Sequence, residues 1–333
     1  MKVAIIGAGR QGGRRAKAAK EYGDEITLVV DTKQELAAAL AKEYSCAKSA
    51  DWTSAVKDKD VDSLVICTPN DTHAAIAIDA LKNGKNVFCE KPIARNPEEA
   101  RQILDAAKKS RAVLKCGFTL RAHPAIEKAK KHVENGGVGK LLFMRCNYGI
   151  TGRSGYEKDW RMNTSISGGG QLMDQGQHIL DLFRWFGGDI KEVTGYADSL
   201  YWGASAEDNA FALLRSQSGH ICMMHTSWTE WKNLFLFEVF GDEGYVKVEG
   251  LGGSYGTERL ILGKKDLDKP FVQEVEEFKG ADISWQGEWE EFATAVKGGQ
   301  QSSSGAYDGW AAVKLAFAIY ESSKSGKCVK LDW

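Results

Sequence analysis

VAIIGAGRQGG, residues 3 to 13, passes from four apolar residues through a glycine turn into a helix-like segment, and its reading decides the fold. Gly7, Gly9 and Gly12 stand in GxGxxG spacing directly behind a predicted strand (2 to 6) and at the opening of a predicted helix (10 to 20). In that setting each glycine has a mechanical task. The first permits a tight turn, the second lets backbone approach a pyrophosphate, and the third allows close helix packing. The helix N-terminus adds N–H groups and a positive dipole end that suit an anion. Arg10 and Gln11 lie inside the loop and count among the candidate cofactor contacts. Asp31 closes the second predicted strand (25 to 31), where a carboxylate accepts from ribose hydroxyls and repels a 2′-phosphate. NAD is therefore expected over NADP, with Lys33 the residue that could soften the preference.

Outward from this loop the chain alternates. Predicted strands at 63 to 68, 86 to 90 and 112 to 118 are separated by predicted helices at 33 to 44, 72 to 82 and 97 to 109. Short apolar strands with helices between them imply a parallel sheet covered on both faces. Past residue 120 the rhythm breaks into a lysine-rich helix (124 to 134), a strand (140 to 150) and a helix led by Gly168, Gly169 and Gly170. Several strands follow between about 190 and 275, joined by short turns such as FGDEGY, and a last helix spans about 305 to 323. The fold class expected is α/β: a doubly wound Rossmann domain over 1–120, then an α+β domain over 121–333 with a large, mostly antiparallel open sheet that binds substrate and oligomerises.

Composition narrows the function. The 333 residues carry 44 Lys plus Arg against 45 Asp plus Glu, which gives no reason to expect nucleic acid or an anionic membrane as partner. A small ligand fits better. Met1 runs straight into a strand, with no apolar leader and no run of about 18 apolar residues, so a cytoplasmic location is expected. Seven scattered cysteines without a CxxC pair argue against a disulfide frame or a zinc site, and no metal is expected.

In open parallel sheets the ligand lies beyond the carboxyl ends of the strands. Two segments sit there, Thr68-Pro69-Asn70 with His73 nearby and Glu90-Lys91-Pro92, and Thr68, Pro69, Asn70, His73, Glu90 and Lys91 count among the candidate cofactor contacts. Further on, GGGQLMDQGQHILDL (168 to 182) combines a poor helix start with a strongly helical pattern. At about 100° per residue, Leu172, Ile179, Phe183 and Phe186 form one stripe and Asp174, His178, Asp181 and Trp185 another. The first stripe reads as core. The second puts an acid and a histidine one turn apart, a pairing suited to proton exchange near neutral pH.

The glycine loop, the EKP tripeptide at 90 to 92 and GGGQLMDQGQH at 168 to 178 together resemble the hallmarks of the glucose–fructose oxidoreductase, inositol dehydrogenase and MocA (Gfo/Idh/MocA) family, over essentially the whole chain. GFTLRAHP (117 to 124) resembles the family segment that re-enters the cleft, and Trp160-Arg161 its cofactor-contacting pair. The resemblance implies a catalytic trio of Lys91, Asp174 and His178 at the junction of the domains. It implies an NAD-dependent oxidoreductase that moves hydride at a secondary hydroxyl of a sugar, nucleotide sugar or cyclitol. The glycines at 168 to 170 would leave room for nicotinamide and sugar. The rival readings are an NAD-dependent glycosidase and a non-catalytic NAD-binding sensor.

Other polar and aromatic residues are less specific. Tyr156 and Arg121 are candidate substrate contacts, whereas Trp228, Trp231, His123 and His225 fit a structural role as well as a cleft role. In NLFLFEVF (233 to 240) both alternating sets are apolar: Leu234, Leu236 and Phe240 on one side, Phe235, Phe237 and Val239 on the other. Helices of the same domain can cover only one face, so a homodimer or homotetramer through the C-terminal sheet is expected.

Overall fold

The computed structural model describes residues 1–270 and 272–333, and it divides into two compact units. The first comprises Met1–Thr119 and Trp285–Val313. Its sheet is built from β1 (Lys2–Ile6), β2 (Glu25–Val30), β3 (Ala47–Ser49), β4 (Ser63–Ile66), β5 (Asn86–Glu90) and β6 (Leu114–Gly117), in the order β3-β2-β1-β4-β5-β6 with every pair parallel. This is the doubly wound order, with the strand order reversing between β1 and β4. Continuous burial over residues 3–6 of β1 and along β4 follows from helices on both faces. The sequence pattern left out β3, whose three residues AKS carry no apolar signal.

The expected domain limits put everything after residue 120 in the second domain, but contacts return Trp285–Val313 to the first unit. Apolar burial accounts for the return. Trp289, Phe292 and Ala293, on the helix Ser284–Gly298, are fully buried, and the rings of Trp289 and Phe292 pack on Phe88 of β5. Lys115 of β6 clamps the following loop, its Nζ donating to Glu291 Oε2 at 2.6 Å and to Ser304 Oγ at 2.9 Å.

The second unit, Leu120–Ser284 and Lys314–Trp333, holds a nine-stranded sheet. Its strands are β7 (Leu141–Gly149), β8 (Ile190–Asp198), β9 (Asn209–Ser216), β10 (Ile221–Ser227), β11 (Leu234–Gly241), β12 (Gly244–Glu249), β13 (Glu258–Lys264), β14 (Gln273–Phe278) and β15 (Val329–Lys330). They lie in the order β14-β13-β12-β11-β7-β10-β9-β8-β15, and only β7 with β10 is parallel among the described pairs. The glycine-led segment packs on one face, where Phe183 and Phe186 meet Phe237 of β11. That face holds the buried Phe235, Phe237 and Val239, whereas Leu234, Leu236 and Phe240 opposite them are only half-buried.

Candidate active site

In the first unit the phosphate loop is shaped as the sequence predicts. Gly7 adopts φ +98°, and a Cβ there would lie 2.7 Å from the Cys67 carbonyl carbon. A Cβ on Gly12 would meet the Gly7 carbonyl oxygen at 1.9 Å, so only glycine lets the helix Arg10–Tyr22 start this close to the turn. Gly9 differs. A Cβ at that position would meet nothing within 4 Å, and Gly9 caps the helix without a side-chain hydrogen bond. Packing within the chain therefore does not require glycine at position 9, and the helix's first N–H groups suit the pyrophosphate of a dinucleotide. Asp31 is tied to the loop: Oδ2 accepts from Ala8 N at 2.7 Å and Oδ1 from Lys33 N at 2.8 Å. Both oxygens keep acceptor capacity for a ribose hydroxyl, with their direction fixed.

The turns behind β4 and β5 are joined by His73. Its Nδ1 lies 3.0 Å from the Pro92 carbonyl oxygen and its Nε2 2.8 Å from that of Thr68. The ring is fully buried, and burial lowers its pKa. His73, expected among the cofactor contacts, thus acts as a staple between the two turns. Thr68 Oγ1 accepts from Thr72 Oγ1 at 2.6 Å, and Asn70 is buried in the same turn. Glu90, also expected to touch the cofactor, turns inward: its Oε1 accepts from Arg15 Nε at 2.7 Å. Lys91, the next residue, is half-buried and belongs to this first unit.

Asp174 and His178 belong to the second unit, and the surroundings explain their glycine leader. Helices Gln171–Asp174 and Gly176–Gly187 meet at Gln175, whose own backbone is helical. The open N–H groups at the start are satisfied by one distant residue. Glu207 accepts from Gly170 N through Oε2 at 2.8 Å, from Leu172 N through Oε1 at 2.9 Å and from Gln171 N through its carbonyl at 3.0 Å. Tyr320 OH donates to Glu207 Oε1 at 2.8 Å. A Cβ on Gly170 would lie 1.9 Å from the Glu207 carbonyl oxygen, and one on Gly169 would lie 2.1 Å from Tyr320 OH. Gly169 and Gly170 are therefore bare to admit Tyr320 and Glu207, a requirement within the unit that the sequence pattern does not show.

Around Asp174 the second unit gathers polar and aromatic groups. Arg161 Nε is 3.8 Å from Asp174 Oδ2, and the Arg161 guanidinium lies over the Trp160 ring at 4.6 Å. Burial, with the charge of Asp174, pushes the Tyr156 hydroxyl's pKa up. Tyr148 of β7 stands 6.2 Å, ring to ring, from His178, and its hydroxyl is raised well above the usual range by burial and by Tyr255. Gln175 Nε2 donates to Tyr255 OH at 2.9 Å. His178 itself is 7% exposed. The stripe carrying Asp174 and His178 is thus a sheltered polar face.

Arg121, read as a substrate contact, is buried and makes a two-pronged pair with Asp181, at 2.8 Å from Nε to Oδ2 and 2.5 Å from Nη2 to Oδ1. It pins the chain to the second stripe of the glycine-led helix. His123 likewise joins Glu258 at 2.9 Å inside the unit. Trp228 is core, stacked edge-on against Tyr156 at 4.9 Å. His225 stacks on Phe211 at 4.1 Å on the open sheet face, and Trp231 is 59% exposed. Tyr148, Gln175, Glu207 and Tyr255 were missed by the sequence reading. Glu207 carries no local signal, because its side-chain partners lie 35 to 113 residues away in sequence.

No group of three or more His, Cys, Asp or Glu side chains is placed to hold a metal among the described residues. Known proteins agree with the geometry. Residues 1–118 match the oxidoreductase family with an NAD-binding Rossmann fold, and residues 126–247 match the GFO/IDH/MocA C-terminal domain. A levoglucosan dehydrogenase of Pseudarthrobacter phenanthrenivorans is 30% identical over 247 residues, 66% of this chain and 63% of the relative. The myo-inositol 2-dehydrogenase of Thermotoga maritima is 26% identical, covering 100% of this chain and 99% of the relative. The solved structure of a levoglucosan dehydrogenase in complex with NADH superposes with a TM-score of 0.91 at 25% identity, over 100% of this chain and 99% of that one. The chain belongs to the Gfo/Idh/MocA family of NAD-binding oxidoreductases.

Proposed function

We propose that the protein moves a hydride between NAD and a secondary carbinol of a sugar or cyclitol, with Lys91, Asp174 and His178 acting on one substrate oxygen. The observation that carries this reading is the sheltered acid–imidazole face of the second unit, where Asp174 and His178 are held with tyrosine and arginine groups by a helix start fixed through Glu207. Levoglucosan and myo-inositol, named for the relatives, are polyhydroxylated rings whose hydroxyls such a polar face can hydrogen-bond. When bound, the nicotinamide supplies the hydride acceptor. His178 takes the hydroxyl proton as the C–H electron pair leaves, and returns it in the reverse direction. Lys91 hydrogen-bonds the same oxygen and stabilises its growing negative charge, while Asp174 orients substrate and imidazole. Arg161, stacked on Trp160, faces the Asp174 carboxylate. Absorbance at 340 nm over a panel of pyranoses, anhydrosugars, sugar nucleotides and inositols tests the reading. Sustained NADH formation with one class supports it, and hydrolysis of a glycoside without net NADH would favour the glycosidase alternative.

The same reading extends to assembly. On the open sheet face, Phe211, Leu213 and Met223 are exposed and line up in register with His225, Arg145 and Leu236. Phe143, Phe240 and Tyr245 stack across three strands beside them. A face this apolar is covered in solution by a second copy, giving a dimer or tetramer.

A further inference from the structure

A buried charge cluster lies at the crevice ends of β5 and β6 in the first unit. Arg15 is fully buried, its Nε donating to Glu90 Oε1 at 2.7 Å, its Nη1 to Glu288 Oε2 at 2.7 Å and its Nη2 to Thr119 Oγ1 at 3.2 Å. Thr119 Oγ1 also donates to Glu288 Oε2 at 2.8 Å. The guanidinium lies over the rings of Phe88 and Trp285 at 4.2 and 4.4 Å. One guanidinium thus faces two carboxylates, and the buried Glu288 Oε1 has no hydrogen-bond partner. Surplus charge of this kind is costly inside a protein. Packing alone would be served as well by a glutamine at 288, which could accept from Arg15 and Thr119 without the extra charge.

The position of the cluster suggests what the surplus charge acts on. Glu90 ends β5, Thr119 follows β6, and a Cβ on Gly117 would lie 3.1 Å from Glu90 Oε2. In a doubly wound sheet the pyrophosphate sits at the first turn and the dinucleotide spans the two halves. With Asp31 placing the adenosine ribose at β2, the nicotinamide half falls toward the ends of β4, β5 and β6. The nicotinamide ring carries a positive charge when oxidised and none when reduced. A fixed negative charge in a low-dielectric setting separates those two states, and Lys91, the cation of the same turn, is common to both.

We propose that Glu288, through its cluster with Arg15 and Glu90, is a positioning residue that sets the redox preference of the site, favouring bound NAD⁺ over NADH. It touches neither substrate nor cofactor. The proposal rests on NAD binding alone and does not depend on the substrate.

Titration of the full-length protein with NAD⁺ and with NADH, without substrate, tests it. In Glu288→Gln the ratio Kd(NAD⁺)/Kd(NADH) should rise about three- to tenfold, and the rise should persist at high salt because buried charges are weakly screened. Glu90→Gln removes the other negative charge and should move the ratio the same way, which supplies the reading should the first variant not fold. Thr119→Val loses a hydrogen bond without changing charge, and Glu290→Gln removes an exposed charge from the same helix; neither should move the ratio more than about twofold. An unchanged ratio in the folded charge-removing variants, or an equal change in Thr119→Val, would overturn the proposal.

Discussion

His73 faces two carbonyl oxygens with one ring, so a neutral imidazole donates to only one of them, and yet burial lowers its pKa. The consequence for stability has a definite sign. Below the ordinary histidine value of about 6.5 the unfolded chain binds a proton that the folded chain resists, so stability falls as pH drops through that value. Burial lowers His220 and His225 in the same direction. Thermal unfolding should therefore move to lower temperature between pH 7.5 and 5.5, and His73→Gln should flatten part of that slope, at most about 1.4 kcal/mol per pH unit. A slope unchanged in His73→Gln would assign the dependence to other groups. The two glycines of the phosphate loop make an opposed pair. Gly12→Ala drives a Cβ into the Gly7 carbonyl and should cost about 3 kcal/mol or more of stability. Gly9→Ala meets only open space, so its melting temperature should stay within a few degrees of wild type while NADH affinity falls at least about tenfold. Equal losses of stability in both variants would remove the distinction.

At the scale of the element, the glycine-led helix start is held from outside itself. Glu207→Ala would leave the N–H groups of Gly170 and Leu172 and the hydroxyl of Tyr320 without their acceptor in a buried setting, a cost of about 3 kcal/mol. Gly170→Ala should be at least as damaging, because the atom it meets is backbone. Denaturant unfolding of the two variants reads both, and a Glu207→Ala protein as stable as wild type would show that water replaces the cap. The same element shows what a sequence can tell. The phosphate loop, the alternation of strands and helices in the first unit apart from β3, and the two stripes of the glycine-led helix are legible because each is a local pattern. Glu207 lies 37 residues from Gly170, Arg121 lies 60 from Asp181 and Arg15 lies 273 from Glu288. Pairings over such separations leave no periodicity to read. For that reason the sequence shows neither the Arg121–Asp181 pair, nor the approach of Glu207 to the glycines, nor the helix Ser284–Gly298.

At the scale of the whole molecule, the open sheet face makes a prediction about assembly. Light scattering at micromolar concentration should find a dimer or tetramer, and Leu213→Glu with Met223→Glu, both on exposed positions of β9 and β10, should shift it to monomer without unfolding it. Monomer in the wild type would leave that face to another partner. No helix among the described residues is long and apolar enough to cross a membrane. The central claim is chemical: one oxygen is served by Lys91, Asp174 and His178. The measurement that tests it most directly is steady-state turnover of the substrate found by the 340 nm screen, compared in wild type, His178→Ala and Lys91→Ala, with NADH affinity measured on the same samples. Turnover should fall by about 10² or more in each variant while NADH affinity stays near wild type, since the glycine loop and Asp31 are untouched. His178→Ala with near-normal kcat would contradict the account and make the polar face of that helix structural.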